Sequence, residues 1–371
     1  MPNVFDYLSW RGDLSFRQSA FNEVDAMILS RLSYAPLELV KDPSAAGPFS
    51  VERACRVLLA TSPEKQEETR GMLPLYRALL RSPRFLRLPL LRYSCCLDEE
   101  TQTQFAAVTI MLDEDTCFVA FRGTDGSLVG WKEDLNMAFV SPVPSQTMAV
   151  EYVNALAGEF SGRIYLGGHS KGGNLAMYAL GFCKPEVAER VQGVYNLDGP
   201  GFVEGVWGET QEARLAGKLN TLVPQSSLVG MLLEHSDDYS IVHSTQKTGF
   251  FQHDTFSWEI LRDRFVRLRN VTRSGRVISS AVGDWIAGMS AEQRERFADT
   301  VYSILTVTNA RSVHELSANW LTSAGRILRG YRDLDEVTRQ AVSETLAALC
   351  RSAEKEVTHE LRGREEAPAL K

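Results

Sequence analysis

The chain has 371 residues, 44 % of them hydrophobic and 23 % charged. That content suffices for one large core or two smaller ones and excludes an intrinsically disordered protein. With a formal net charge of −7 it lacks the basic field of a nucleic-acid binder.

Residues 20–33 carry the first helical pattern: Phe21, Val24, Ile28, Leu29 and Leu32 recur at spacings of three and four, with Asn22 placed as a cap. Residues 50–61 and 64–82 read the same way, giving a helical N-terminal region over 1–85. The basic run Arg81, Arg84, Arg87 and Arg92 reads as a solvated face. At 104 the period changes. QFAAVTIML ends at the acidic turn Asp113-Glu114-Asp115 and CFVAF follows, which predicts a hairpin over 105–121. An irregular stretch at Gly123–Gly126 and a proline-marked loop at 142–144 precede a helix over 146–160, with Met148, Tyr152, Val153, Leu156 and Phe160 on one face. RIYLGG is a short apolar strand that runs into a helix starting near Lys171. GVYNL (193–197), NTLVP (220–224) and YSIVH (239–243) are further strands. Strands alternating with helices imply a largely parallel sheet covered on both faces. From about residue 258 helical patterns return. Ser290 with Gln293 fits a capping box ahead of Phe297, Val301 and Ile304, and the terminal GREEAPALK reads as frayed.

The first residues, MPNVFDYLSWRGDL, show no secretory signal, and no uncharged apolar run reaches the roughly 20 residues of a membrane span. The six cysteines, Cys55, Cys95, Cys96, Cys117, Cys183 and Cys350, form no CxxC pair. They read as buried free thiols of a reducing compartment, so cytoplasmic residence is expected, and the adjacent Cys95 and Cys96 read as inert.

The segment richest in chemistry is Gly168-His169-Ser170-Lys171-Gly172, a G-x-S-x-G pattern between a strand and a small-residue helix. The spacing serves a sharp turn: flanking glycines remove side chains that would collide as the chain doubles back. The serine hydroxyl then projects over the sheet, and the helix N-terminus offers unpaired N–H groups to developing negative charge. A serine nucleophile needs a base, and the base an orienting acid, in the chain order Ser, acid, His. His253, in a loop after the last clear strand, is favoured as base, with His235 as runner-up. His169, His243 and His314 read as histidines with satisfied hydrogen bonds. Asp198, at the tip of the strand VYNL, is favoured as acid, with Asp237 and Asp238 as alternatives; a turn-capping role at Gly199-Pro200 is its structural reading. Asp254 adjoins His253 too closely in sequence to face it well.

Phe121-Arg122-Gly123-Thr124, Trp131 and Asp134-Leu135, followed by GHSKGG at 168–173, resemble the FRGT/S…W…DL block and elbow of fungal-type class 3 lipases. The chain resembles more closely a bacterial lipase-like family of unknown function in the same superfamily. That resemblance is carried by FDYLSWRGDLSF (5–16), FNEVDAMILSRLSY (21–34), GHSKGGNLA, NLDGPGF (196–202) and QHDTFSW (252–258). It implies an oxyanion hole from the backbone N–H groups of Thr124 and Lys171, with Arg122, Trp131 and Asp134 holding the loop. Two departures stand out. Class 3 lipases carry their acid where this chain has Pro224-Gln225-Ser226-Ser227-Leu228-Val229, without a carboxylate, a second reason to turn to Asp198. Lipases also carry an apolar residue where Lys171 stands, which reads as a solvated cation or a preference for an anionic substrate.

The expected fold is an α/β-hydrolase fold: a mostly parallel central sheet flanked by helices, with helical N- and C-terminal additions. The expected divisions are 1–85 (helical region packed on the core), 86–285 (hydrolase core) and 286–371 (helical extension). The expected activity is carboxylic ester hydrolysis, on lipid or acyl esters, by Ser170, His253 and Asp198 through an acyl-enzyme. A catalytically inactive scaffold that binds a lipid or a protein is the alternative, as is a thioesterase or amidase. Residues 228–233 read as an acyl pocket or lid, or equally as the start of a buried helix. The histidines lack metal-ligand spacing, so no metal or cofactor is expected. The expected partners are a small-molecule ester or lipid and, transiently, a membrane surface.

Overall fold

A computed structural model describes residues 1–40, 47–233, 238–247, 249–272, 275–276, 288 and 290–306. In chain order the strands are β1 (Phe49–Ser50), β2 (Pro89–Asp98), β3 (Thr103–Asp113), β4 (Thr116–Phe121), β5 (Arg163–His169), β6 (Val191–Leu197), β7 (Leu219–Pro224), β8 (Tyr239–Val242), β9 (Ile260–Leu261), β10 (Arg264–Phe265) and β11 (Arg267–Leu268). Nine of them form one mixed sheet in the order β1-β2-β3-β4-β5-β6-β7-β8-β11, and β9 pairs with β10 alone. The five central strands β4 to β8 run parallel. Antiparallel strands extend the sheet at both edges. This is the α/β sheet the alternating pattern predicts.

Every residue of β4, TCFVAF, is buried, which requires cover on both faces. Its two-residue alternation sorts the cover. Phe118 and Ala120 join Val108 and Ile110 under the Glu23–Leu32 helix. On that face Phe21 seats its ring 5.6 Å from Phe118, 5.2 Å from Tyr165 and 5.8 Å from Tyr195. Val119 and Phe121 point the other way, against the helices Pro144–Glu159 and Lys171–Phe182. Asn22 caps the Glu23–Leu32 helix, accepting the N–H groups of Val24 and Asp25, while Asp25 Oδ2 accepts the Asn22 N–H. The β5 strand thus sits mid-sheet with helices on both sides, and its C-terminal end opens at the sheet edge where chemistry collects in such folds.

Several expectations change. Residues 64–82 are not one helix but the segments Pro63–Glu68, Arg70–Met72 and Leu73–Leu79, punctuated by Gly71 and Pro74. Arg84 is not solvated: it is buried, with Nη2 2.5 Å from Asp25 Oδ2 and Nε 2.8 Å from Oδ1. Its remaining N–H groups donate to the carbonyls of Leu14, Ser19 and Ala20, so the guanidinium fork is filled. Arg81 and Arg87 are exposed as expected. Strand β2 precedes the expected hairpin, and β9 to β11 fall where helical patterns were read. Cys55, Cys117 and Cys183 are buried thiols, whereas Cys95 is exposed. The Ser290 box forms: Ser290 N–H donates to Gln293 Oε1 at 2.8 Å and Gln293 N–H to Ser290 Oγ at 3.2 Å, opening the Ala291–Thr306 helix. The side chains of Phe297, Val301 and Ile304, and Cys350 with the rest of 307–371, lie outside the described residues. Among the described residues no helix is long and apolar enough to cross a membrane.

Candidate active site

Ser170 follows β5 and caps the Lys171–Phe182 helix with φ +59° and ψ −134°. A non-glycine residue holds such a backbone at a cost of about 1–3 kcal/mol, so the surroundings must impose it. They do so sterically. A Cβ on Gly168 would overlap the Gly172 carbonyl, and one on Gly172 would overlap the Phe121 carbonyl at the end of β4. Ser170 N–H donates to Leu197 O at 3.0 Å, tying the bend to β6. Ser170 is partly exposed.

Asp198 follows β6, also at positive φ (+54°), and is buried. Its Oδ2 accepts the His253 Nδ1 proton at 2.7 Å. Its Oδ1 accepts the Ser227 hydroxyl and, at 3.2 Å, the Gly230 N–H. A buried carboxylate with both oxygens satisfied is oriented and needs no further partner. The turn at Gly199 is capped by Asn196, whose Oδ1 accepts the Gly199 N–H at 3.0 Å, so Asp198 is not spent on capping. Ser227 lies in the segment 224–229 that lacks a carboxylate; it supplies a donor to Asp198 instead, a role sequence reading missed. The His253 side chain is 24 % exposed, with Nδ1 turned inward. Its ring lies 4.4 Å from that of His169, the residue preceding Ser170, at a tilt of 37°. Among the described residues neither Ser170 Oγ nor His253 Nε2 has a hydrogen-bond partner. Nucleophile–base bonds commonly tighten only when substrate arrives.

The loop after β4 passes beside the bend. A Cβ on Gly123 would overlap the His169 carbonyl oxygen at 2.5 Å and lie 3.1 Å from Ser170 Cβ, so only glycine admits this approach of the Thr124 loop to the bend. The Thr124 hydroxyl donates to Asp134 Oδ2. Asp134 Oδ1 is shut from solvent without a hydrogen-bond partner, although its side chain as a whole is 31 % exposed. Desolvation outweighs the nearby Lys171 ammonium and pushes its carboxyl up to about 6.

Lys171 corrects both earlier readings, being neither solvated nor turned toward a substrate. Its side chain is 1 % exposed and Nζ donates at 2.8 Å to Gln104 O, Gln104 Oε1 and Glu133 Oε2. Glu133, fully buried, also accepts the N–H groups of Gln104 and Ser145, both at 3.0 Å. The ion pair therefore joins the start of the Lys171 helix to β3 and to two further helices. Lys171 N–H, at the first helical position, has no carbonyl to meet within its helix.

The other candidates are not brought to Ser170 by any contact described. His243 pairs with Glu259 at 2.7 Å. Asp254 caps the Thr255–Ser257 turn. Trp131 is 39 % exposed. Arg122 pairs with Asp125 at 3.6 Å within the Thr124 loop. Residues 228–233 form turns, not a helix start, with Leu232 O accepting Gly201 N–H at 2.9 Å. His235, Asp237 and His314 lie outside the described residues. Among the described residues no His, Cys, Asp or Glu cluster could hold a metal ion.

No curated protein matches the chain. Among solved structures it is similar to the crystal structure of M37 lipase, with 10 % identity and a TM-score of 0.36 over 57 % of this chain and 69 % of that one. A family model matches residues 79–303, more than half of the chain, and by that match the protein belongs to the Mbeg1-like family, which is lipase-like.

Proposed function

We propose that the protein is a serine hydrolase acting on carboxylic esters, with lipid or acyl esters as the substrate class. The observation that carries this reading is the 2.7 Å bond from His253 Nδ1 to buried Asp198, with the His253 ring 4.4 Å from that of His169, the residue before a serine held at φ +59°. Nδ1 bonded to a carboxylate leaves Nε2 as the basic nitrogen of a neutral imidazole, the tautomer a general base needs. In this mechanism Ser170 Oγ attacks the ester carbonyl while His253 Nε2 takes its proton. The backbone N–H groups of Thr124 and Lys171 stabilise the oxyanion, each worth about 3 kcal/mol of barrier. His253 then protonates the leaving alcohol, and water repeats the sequence on the acyl-enzyme. Asp198 stabilises the transient imidazolium.

A fluorophosphonate probe tests the reading. Ser170 in the folded wild type is expected to label, and Ser170→Ala to lose all labelling at that position with its fold retained by circular dichroism. Wild-type protein that is folded yet unlabelled, and that turns over no short p-nitrophenyl ester, rejects the proposal.

A further inference from the structure

His169 is 4 % exposed, and both of its ring nitrogens are engaged. Nε2 lies 2.7 Å from the backbone carbonyl oxygen of His253. A carbonyl only accepts, so Nε2 carries the proton and Nδ1 the lone pair. Nδ1 in turn faces the Tyr34 hydroxyl at 3.0 Å, which donates to it, and Arg31 Nη1 at 3.4 Å. Arg31 also spans the rings of Tyr34 and Phe256, 4.7 Å from each centroid. Protonating Nδ1 would set an imidazolium against Arg31 in a desolvated site. Burial, His253 and Arg31 together hold His169 well below the usual histidine range.

The consequence concerns His253. It sits in a two-residue break between the one-turn helix Gly249–Gln252 and the 3-10 turn Thr255–Ser257, itself in neither. Asp198 fixes only its ring. The neighbouring carbonyl of Gln252 is held by Trp258 Nε1 at 2.8 Å. We propose that His169 is a positioning residue: as a neutral donor it clamps the His253 main chain, so that the N-terminal Arg31–Tyr34 segment sets the reach of the base toward Ser170. Two anchors, one on the backbone and one on Nδ1, leave the imidazole little freedom. The residue immediately before the nucleophile supplies the first of them. Positioning of this kind acts on the chemical step, where a displacement of about 1 Å costs roughly 100-fold.

The kinetic arm of the test rests on the hydrolase reading above; the spectroscopic arm does not. His169→Gln keeps an N–H near the Nε2 position, whereas His169→Leu keeps volume and removes the donor. The expected result is that His169→Leu lowers kcat on a short p-nitrophenyl ester roughly 10- to 100-fold with KM within about twofold. His169→Gln should recover most of the loss. In proton NMR of the full chain, the downfield His253 Nδ1 proton, assigned by its loss in Asp198→Asn, should broaden or vanish in His169→Leu and persist in His169→Gln. Normal kcat and an intact Nδ1 signal in folded His169→Leu overturn the clamp. So does equal damage by the Gln and Leu variants at unchanged melting temperature. A wild type that neither labels nor turns over, yet shows the NMR contrast, rejects the hydrolase reading and leaves the clamp supported.

Discussion

At the scale of single residues the candidate site is a set of strained or desolvated groups whose partners compensate them. Asp198 combines positive φ with full burial, and three donors meet its carboxylate. Asp198→Asn keeps its volume but places an amide against donors and favours the wrong His253 tautomer. It is expected to reduce kcat by roughly 10⁴-fold while leaving the fold intact, checked by steady-state kinetics beside circular dichroism. Lys171 makes the opposite kind of prediction. Its charge is met at 2.8 Å by buried Glu133 and at 3.9 Å by Asp134, so removing the ammonium strands the Glu133 carboxylate in a dry interior. Lys171→Met is expected to destabilise the protein by about 3–5 kcal/mol in urea unfolding. A double variant adding Glu133→Gln should fall short of the sum of the two single losses, because the pair is coupled. A solvated lysine at that position would lose almost nothing.

The elements show where sequence reading succeeds and why it stops. The strand–Ser170–helix turn was legible because its constraints are local: the glycines clear chain atoms only a few residues away or on the adjacent strand. The Glu23–Leu32 helix was legible for the same reason, its apolar spacing and its Asn22 cap lying side by side. Asn22→Ala removes the acceptor for the N–H groups of Val24 and Asp25 and should cost about 1 kcal/mol, read from the urea midpoint. His253 and Asp198 were reachable through topology, since parallel strands deliver their following loops to one end of the sheet. What failed was decided by distant partners. Arg84 meets Asp25 and Lys171 meets Glu133 across long stretches of chain, and no local pattern distinguishes a buried arginine from a solvated one. Strands β9 to β11 have two residues each, too few for any period to register. Residues 64–82 keep a helical apolar spacing through Gly71 and Pro74, which divide the helix without breaking the pattern.

On the scale of the whole molecule, the N-terminal helices form one of the two layers over the sheet, and they reach the candidate site through Tyr34 and Arg31. Folding and the site's protonation are therefore linked, and two groups give that link opposite signs. Asp134 has its carboxyl raised from 3.8 to about 6, so between those values the folded chain binds more protons than the unfolded one. Relative to an ordinary carboxyl it contributes stability that is full below about pH 3.8 and lost as pH rises through about 6. The amount is on the order of 2 kcal/mol once solvent screening of its exposed part is allowed for. His169 is held below the ordinary value of 6.5, so the unfolded chain binds the extra proton. Its contribution is present above pH 6.5 and is lost as pH falls toward the lowered folded value. Unfolding free energy measured in urea from pH 7.5 down to pH 4.5 should separate them. Asp134→Asn is expected to fall more steeply than wild type on acidification through pH 6, because it lacks the compensating gain. His169→Gln is expected to fall less steeply, because it has no imidazole to charge on unfolding. If both variants follow the wild-type slope across that range, neither group is desolvated as the structure has it, and the coupling between the N-terminal layer and the Ser170 bend is lost with them.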